Sequence, residues 1–301
     1  IPEPRIGFLQ EALRWWDKWL KGVETGVEDD PDLRLYQMDG VRPQTWYTER
    51  AGRWVSQTPE RDAKVDRPFA EYFLNHDGLG EQRGLLDVTV SSPQDCGADS
   101  GEYCAIWLGP EMPGDQRRDD ALSATWDSDA LSADMQITGA PQITLKLSSD
   151  QATAKIAVRL NHIHPDGAST RITYGVLNLC HRDGHEVSSP LPLNEAITAT
   201  LNLDQCAYTV PAGHRLRISI SNCYWPLLWP SPVSTILNIH EGTVQIPLVN
   251  EVAGHTVAFP PPEAADPWQT KTIREGTNSR RQETDLNTGI VHLHIEDDFG
   301  K

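Results

Sequence analysis

Short segments of alternating apolar and polar residues fill the chain from Leu122 onward, and they constrain its fold more than any other feature. In "PQITLKLSS", Ile143, Leu145 and Leu147 alternate with polar residues. "AKIAVRL", "HRLRISIS" and "GTVQIPLV" continue the pattern, and turn sequences such as "HPDG" and "HRDG" separate the segments. A period of two residues places the apolar side chains on one face of a β-strand. Short strands with one solvated face are typical of antiparallel sandwiches and jelly rolls. The sequence therefore predicts an all-β sandwich.

A single amphipathic helix is predicted ahead of these strands. The stretch "GFLQEALRWWDKWLKG" runs from Gly7 to Gly22, and Gly22 stands where a left-handed residue usually ends a helix. The apolar residues form a wide stripe: Phe8, Leu9, Ala12, Leu13, Trp15, Trp16, Trp19 and Leu20. A stripe of this width indicates cover on more than one side. We therefore expect some of the three tryptophan rings to lie against the sandwich, and the others to be exposed or covered by another copy of the chain.

The region from residue 41 to about residue 120 carries a weaker signal. Short candidate strands such as "AEYFL" and "LLDVTV" lie between clusters of Pro, Gly and Asp. We interpret the segments "SSPQDCGADSGE" and "GPEMPGDQRRDD" as long surface loops, because they show neither a helical nor a strand period.

The charge and the cysteines of the chain limit its partners and its compartment. The 301 residues carry a formal net charge of −17, which argues against binding to nucleic acid or to anionic membrane surfaces. No apolar run reaches membrane-spanning length, and the first residues do not resemble a signal peptide. None of the five cysteines forms a close C-x-x-C pair, so we expect small, buried free thiols in a reducing cytoplasm. A Cys96–Cys104 disulfide in an exported protein is the alternative.

The sequence contains no recognisable set of catalytic groups. Nucleophilic hydrolysis on a strand–turn–helix elbow requires G-x-S-x-G, and the nearest string, "CGADSGE", has its glycine three residues before Ser100. Carboxylate pairs such as Asp29/Asp30 and Asp297/Asp298 lie in turns or near the end of the chain, where no regular element fixes their spacing. We therefore expect no catalytic residue among these 301.

Two histidine pairs have the spacing that could begin a metal site. His162 and His164 stand in "NHIHPDG", and His292 and His294 stand in "VHLHIE". Zinc requires three or four ligands, and no third ligand is indicated near either pair. We interpret both pairs as outward polar positions of strands, and we expect no metal and no cofactor. A cupin-like metal centre that uses these pairs is the alternative.

An aromatic loop follows the strand "HRLRISIS". The segment "SNCYWPLLWPSP", Ser221 to Pro232, contains Tyr224, Trp225 and Trp229. Prolines limit the freedom of this loop, so the rings are held ready for a ligand or a neighbouring domain. The alternative is that the rings cover one end of the sandwich as part of its core.

Four segments occur in an order that resembles a known enzyme family. They are "ALRWWDKWLKG" with "LRLYQMDG", "LSATWDSDALSADMQITGAPQITLKLSSD", "AVRLNHIHPDGASTRITYGVL", and "VPAGHRLRISISNCYWP". This order resembles the CocE/NonD hydrolases, which include relatives of cocaine esterase, X-Pro dipeptidyl-peptidase and α-amino-acid ester hydrolase. The resemblance covers about residue 8 to about residue 232. In that family an α/β-hydrolase domain carries a Ser-His-Asp triad, and a jelly roll packs against it.

The resemblance implies a division of the chain and a role for it. Residues 1–28 correspond to the last helix and linker of the hydrolase domain, and residues 29–301 correspond to the galactose-binding-like jelly roll. The family triad lies upstream of that helix, so the implied role is non-catalytic. The implied partner is the hydrolase domain, and a homo-oligomer through the Trp15, Trp16 and Trp19 face is a second possibility.

The resemblance also implies a substrate contact. In relatives an aromatic residue before proline in the loop after the "GHR" strand lines the acyl pocket, and the matching residues here are Trp225 and its neighbour Tyr224. A different interpretation of the same loop is a carbohydrate-binding module that stacks Trp225 and Trp229 on sugar rings.

Overall fold

The N-terminal helix of the chain forms as its sequence predicts. The computed structural model describes residues 3–57, 68–105, 109–249 and 255–301. Helix α1 spans Phe8–Lys21, and Gly22 follows it with φ 71°. The N–H of Gly22 donates to the carbonyl of Lys18 at 3.0 Å, which completes a left-handed cap. A second helix, α2, spans Arg117–Ala121, and neither of these two helices is long and apolar enough to cross a membrane.

The rest of the described chain is built mainly from β-strands. In chain order they are β1 Leu33–Asp39, β2 Gly52–Gln57, β3 Phe69–Asn75, β4 Gly78–Gly80, β5 Val88–Val90, β6 Ala124–Asp127, β7 Met135–Gly139, β8 Gln142–Ser149, β9 Lys155–Ile163, β10 Ser169–Asn178, β11 Ile197–Asn202, β12 Cys206–Val210, β13 Arg215–Ser221, β14 Leu237–Pro247, β15 His255–Thr256, β16 Thr277–Thr284 and β17 Val291–Asp298. Single-turn 3-10 helices lie at Val27–Asp29 and Leu179–His181.

The strands assemble into sheets with mostly antiparallel neighbours. One sheet has the order β10-β9-β13-β6, a second has the order β11-β8-β14-β3-β4, and a third has the order β15-β2-β1-β12-β7. Strand β5 also pairs with β14, and β16 and β17 form a separate hairpin. The pair β1 and β12 is parallel. The first two sheets supply most of the core between them, so the predicted all-β sandwich of the jelly-roll kind is confirmed.

The apolar side of the alternating segments forms the core. Ile143, Leu145 and Leu147 of β8 are all buried, as their alternation predicts. Buried leucine, isoleucine and valine side chains of β9, β13 and β14 meet them in one continuous cluster. Burial of this apolar surface is the dominant favourable contribution to folding.

The region of weaker signal, from residue 41 to about residue 120, contains the predicted short strands together with further regular structure. It contains β2, β3, β4, β5 and most of α2. The candidate strand "AEYFL" lies within β3, and the "VTV" of the second candidate forms β5, which pairs with β14. Residues 91–105 and 109–123 supply groups that contact the polar side chains of β9: Nη2 of Arg159 donates to the carbonyl of Asp119 at 3.2 Å, and Nδ2 of Asn161 donates to Asp120 at 2.9 Å. Every residue of β9 from Ile156 to Ile163 is buried.

A glycine in β14 tests how tightly the core is packed. A Cβ atom on Gly242 would lie 2.4 Å from Cδ1 of Leu74 and 3.2 Å from Cδ2 of Leu145. We expect Gly242→Ala to lower the free energy of unfolding by about 1–3 kcal/mol, because the added methyl group overpacks the core. Urea unfolding followed by tryptophan fluorescence measures this change.

Gly114→Ala is the matched control for this substitution. Its added Cβ would meet Thr45 Cγ2 at 3.5 Å, which is an ordinary contact. Equal unfolding midpoints for the two variants would contradict the packing described for Gly242.

Candidate functional site

The predicted aromatic loop begins at the end of β13 and is anchored to the segment that covers β9. The backbone N–H of Trp225 donates to the carbonyl of Cys96 at 2.9 Å. The side-chain amide of Asn222 donates to the carbonyl of Thr235 at 2.6 Å, and its oxygen accepts from the N–H of Ser92 at 2.8 Å. These bonds hold both ends of the loop against neighbouring backbone.

Tyr224 and Trp225 occupy different environments. The ring of Tyr224 is 0% exposed. Its hydroxyl accepts a hydrogen bond from Nη1 of Arg171 at 2.8 Å, and the guanidinium of Arg159 lies 5.3 Å from the ring centroid. Burial raises the pKa of the Tyr224 hydroxyl, so the residue is neutral. The side chain of Trp225 is part exposed. A ligand can therefore reach Trp225 without disturbing the packing, whereas Tyr224 serves as an internal support of the loop.

Trp229 lies at the open side of the loop. Its side chain is 83% exposed, and its carbonyl accepts from Nζ of Lys155 at 2.6 Å. The loop borders a cleft of about 270 Å³ that is lined mostly by polar residues such as Ser92 and Asn222, together with Trp229. This cleft is smaller than the ~300–1,000 Å³ of typical ligand pockets.

A buried carboxylate of α2 binds the sheet from which the loop emerges. Asp120 accepts hydrogen bonds from Nδ2 of Asn161 at 2.9 Å and from Oγ of Ser219 at 2.7 Å. It also accepts from Oγ of Ser169 at 2.8 Å and from Nη1 of Arg217 at 3.1 Å. We call these five residues the Asp120 network. The network joins α2 to three adjacent strands of one sheet.

The neighbouring Asp119 fixes the turn next to the loop. Its carboxylate accepts from the backbone N–H groups of Gly97 at 3.0 Å and Asp99 at 3.1 Å. Burial raises the pKa of Asp119, and the positive charge of Arg159 opposes that rise. The sequence did not indicate a role for either aspartate, because "QRRDD" has the composition of a solvated loop. The available signal was the polar pair Arg159 and Asn161, which alternates with the apolar Val158 and Leu160 in β9.

The structure corrects the interpretation of the first histidine pair. His162 and His164 are buried rather than outward. They converge with His214, so that one ring nitrogen of each of the three histidines lies within 4.8 Å of the others. The prediction was wrong because these residues continue the inward set of Ile156, Val158 and Leu160. Burial, followed by the nearby His164 and His214, lowers the pKa of His162 to about 3. The ring of His162 is therefore neutral at pH 7.

The remaining polar candidates are the second histidine pair, Ser100 and the cysteines. His292 and His294 are exposed on β17, as predicted. Ser100 is fully buried, and its hydroxyl donates to the carbonyl of Gly101 at 3.3 Å, which is unlike a nucleophile on an exposed elbow. The five cysteines are free thiols, and the alternative disulfide between Cys96 and Cys104 does not form. Cys104 is exposed, contrary to the expectation of buried thiols.

Helix α1 turns its apolar side away from the sandwich. None of its residues is buried, and exposure of its large apolar side chains runs from 49% for Trp15 to 79% for Leu9. Trp16 and Trp19 are each 54% exposed. We call this surface the apolar face of α1; its large side chains are Phe8, Leu9, Leu13, Trp15, Trp16, Trp19 and Leu20. All three tryptophan rings are about half exposed, so none packs fully against the sandwich, contrary to the expectation for some of them.

The polar side of α1 makes the contacts with the rest of the chain. Nη2 of Arg34 lies 2.9 Å from Oε2 of Glu11, and Arg14 forms an ion pair with Asp30. Oε1 of Gln10 accepts from the backbone N–H of Glu263 at 2.7 Å. The usual orientation of a surface helix, with its apolar stripe toward the core, is therefore reversed.

Comparison with known proteins identifies what the chain is similar to. The family described as the X-Pro dipeptidyl-peptidase C-terminal non-catalytic domain matches residues 25–280. A Streptomyces avermitilis protein named as a Xaa-Pro dipeptidyl-peptidase is 24% identical over an alignment of 324 positions, gaps included. The alignment covers 92% of this chain and 45% of that protein. The cocaine esterase of a Rhodococcus species is 20% identical over 239 residues, which cover 72% of this chain and 39% of the esterase.

A solved structure supports the same fold. The CocE/NonD family hydrolase of Staphylococcus aureus superposes with a TM-score of 0.58 at 13% identity, over 80% of this chain and 46% of that chain. The resemblance to CocE/NonD hydrolases is thus confirmed. The chain spans only 37–45% of the length of the curated relatives that it matches.

The contribution of the Asp120 network to the stability of the fold is testable by substitution. We expect Asp120→Ala to lower the free energy of unfolding by about 3–5 kcal/mol, because it removes the buried acceptor of the Asn161 amide and the carboxylate that lies 3.7 Å from the fully buried guanidinium of Arg159. Chemical denaturation measures the loss. Asp129→Ala is the control, because this carboxylate is fully exposed, 4.0 Å from Arg215, and its removal should leave the midpoint unchanged. A similar midpoint for both variants would show that Asp120 does not support the fold.

Proposed function

Because the chain belongs to the family of X-Pro dipeptidyl-peptidase C-terminal non-catalytic domains, we propose that it packs against an α/β-hydrolase domain through the apolar face of α1. Its role is to support that domain and to shape the entrance to the active site. The catalytic serine, histidine and aspartate belong to the hydrolase domain. The whole enzyme hydrolyses esters or X-Pro amides, in line with the names of the relatives.

The reversed orientation of α1 is the observation that carries this proposal. Seven large apolar side chains point to solvent while the charged side faces the sandwich. Exposed apolar patches of this kind mark interaction sites. A helix that belonged only to the sandwich would gain free energy by rotating its apolar face inward, since burial stabilises by about 25 cal/mol per Å².

The match with the relatives supports a hydrolase domain as the occupant of that face. The family match begins at residue 25, after the end of α1 at Lys21. The relatives are more than twice as long as the segment they share with this chain. We therefore propose that residues 1–28 belong structurally to the hydrolase domain and that residues 29–301 form the jelly roll.

The aromatic loop supplies the proposed contact with substrate. Trp225 is part exposed and Trp229 is exposed, and both lie on a loop whose ends are fixed by hydrogen bonds. In this proposal Trp225 lines the substrate entrance while Tyr224 sets its position from within the domain. The carbohydrate-binding alternative for Trp225 and Trp229 is not favoured, because the matching family is a hydrolase accessory domain.

We propose a cytoplasmic location for the protein. Five free cysteines, one of them exposed at Cys104, are compatible with a reducing compartment.

The absence of catalysis in this chain is directly testable. We expect the purified 301-residue chain to show no turnover of activated esters or X-Pro anilides and no labelling by a serine-reactive fluorophosphonate. A serine hydrolase of known activity is the positive control. Stoichiometric labelling that is abolished by Ser100→Ala would overturn the non-catalytic role.

The apolar face of α1 is tested by Trp16→Ala. In the protein that includes the hydrolase domain we expect a loss of about 3–5 kcal/mol in the stability of that domain, because a packed tryptophan is removed. In the 301-residue chain alone the same change should leave the midpoint of thermal unfolding nearly unchanged, because the side chain is half exposed there. Differential scanning calorimetry of both proteins measures the two effects.

Lys21→Ala provides the control on the same helix. Its side chain is 65% exposed and lies outside the apolar face, so neither protein should respond. Sedimentation of the 301-residue chain tests whether a second copy of the chain, rather than a hydrolase domain, covers the apolar face of α1. A dimer that dissociates on Leu13→Asp, together with an unaffected hydrolase domain, would assign the face to a second copy through Trp15, Trp16 and Trp19 instead.

A further inference from the structure

We propose that His162, His164 and His214 form a binding site for one divalent transition-metal ion of the Zn²⁺ class. The site lies at one end of the sandwich, between the sheet that contains β9 and β13 and the sheet that contains β12. It is separate from the apolar face of α1 and from the aromatic loop. The inference does not depend on the proposed packing against a hydrolase domain.

The strand pairing brings the three imidazoles together. His162 lies in β9 and His164 follows the end of that strand, so both side chains point to the same face. Arg215 of β13 pairs with Ile163 of β9, and one further step of this antiparallel register places His214 opposite His164. The rings of His162 and His164 stack with centroids 4.0 Å apart, and those of His162 and His214 lie 4.8 Å apart.

Neighbouring hydroxyl groups hold the rings of His162 and His164 in orientations suitable for binding a metal. The hydroxyl of Tyr208 lies 2.9 Å from Nδ1 of His162, which leaves Nε2 directed at His214. Thr170 donates its hydroxyl hydrogen to the carbonyl of Val41, so its oxygen accepts from Nε2 of His164 at 3.0 Å. Nδ1 of His164 is then the nitrogen that can bind a metal. Metal-binding histidines are usually oriented in this way, through the nitrogen that does not bind the metal.

The distances between ring nitrogens allow a metal after small rotations of the rings. Nε2 of His162 and Nδ1 of His214 are 2.6 Å apart, and one ring nitrogen of each of the three histidines lies within 4.8 Å of the others. Zn–N bonds of ~2.0–2.1 Å in a tetrahedral site correspond to nitrogen separations of about 3.3 Å. The shortest separation must therefore open by about 0.7 Å and the longest must close by at most about 1.5 Å.

The surroundings suit an ion that enters from solvent. His162 and His164 are buried, whereas His214 is part exposed and provides the route of entry. Arg42 and Asp166, the charged groups that act on His164, form an ion pair with each other, so together they add little net charge. Three imidazole nitrogens favour Zn²⁺, Cu²⁺ or Ni²⁺ over Ca²⁺ or Mg²⁺, which prefer oxygen ligands, and they leave a fourth position for water.

The experiment uses the 301-residue chain without an affinity tag, stripped with a chelator and then mixed with an equimolar amount of Zn²⁺. Metal analysis after gel filtration is expected to give about one zinc per chain. Substitution by Co²⁺ should produce the visible absorption of a tetrahedral cobalt complex. We expect His214→Ala to weaken Zn²⁺ binding by about 100-fold or more in a competition titration. Tyr208→Phe, which removes the partner of His162, should weaken it by about 10–100-fold.

A matched control separates this site from ordinary surface histidines. His292 and His294 are an exposed pair on one strand with ring centroids 6.2 Å apart, and the double substitution H292A/H294A should leave zinc binding unchanged. His214→Ala removes a part-exposed ring, so circular dichroism should show an intact fold. Less than about one-tenth of a zinc per wild-type chain would overturn the proposal. The proposal would also fail if binding persisted in folded His214→Ala or was lost in H292A/H294A.

Discussion

Asp120 accepts hydrogen bonds from residues of three adjacent strands, and the layer that covers β9 depends on this buried charge. A carboxylate with 3% residue exposure is stable only where its lone pairs are filled. Here Asn161, Ser169, Ser219 and Arg217 fill them, so α2 can settle in one position only. Asp119 then binds the backbone of the turn at Gly97, and the adjacent Cys96 carbonyl accepts from Trp225. The position of the aromatic loop thus follows from a pair of aspartates in a five-residue helix.

The alternation of β8 was sufficient to predict its buried face, because the pleat of a strand imposes a period of two whatever the strand packs on. The same rule applies to His162 and His164, but their polarity favoured the outward interpretation. Their burial depends on Tyr208 and Thr170, which come from other strands. His214 could be joined to them only once the pairing of β9 with β13 was known.

Asp120 was equally hidden from the sequence, because its partners Asn161 and Ser219 are 41 and 99 residues away along the chain. Five residues rich in charge carry no periodic signal that would reveal such contacts.

The two sides of β9 also follow different rules. One side carries Val158 and Leu160 into the apolar core, where close packing alone is required. The other carries Arg159 and Asn161 into a polar layer, which specifies position more strongly than it adds stability.

The two sides of α1 respond to ionic strength in opposite directions. The contacts of Glu11 and Arg14 with the sandwich are ion pairs near the surface, and added salt screens them within a few ångströms. Any partner on the other side is held by burial of tryptophan and leucine, which sulfate and similar salts strengthen. In concentrated sulfate the helix would stay with its partner and loosen from the sandwich, whereas dilute buffer favours the reverse. The salt concentration of the solvent therefore determines which of the two sides of α1 is held more weakly.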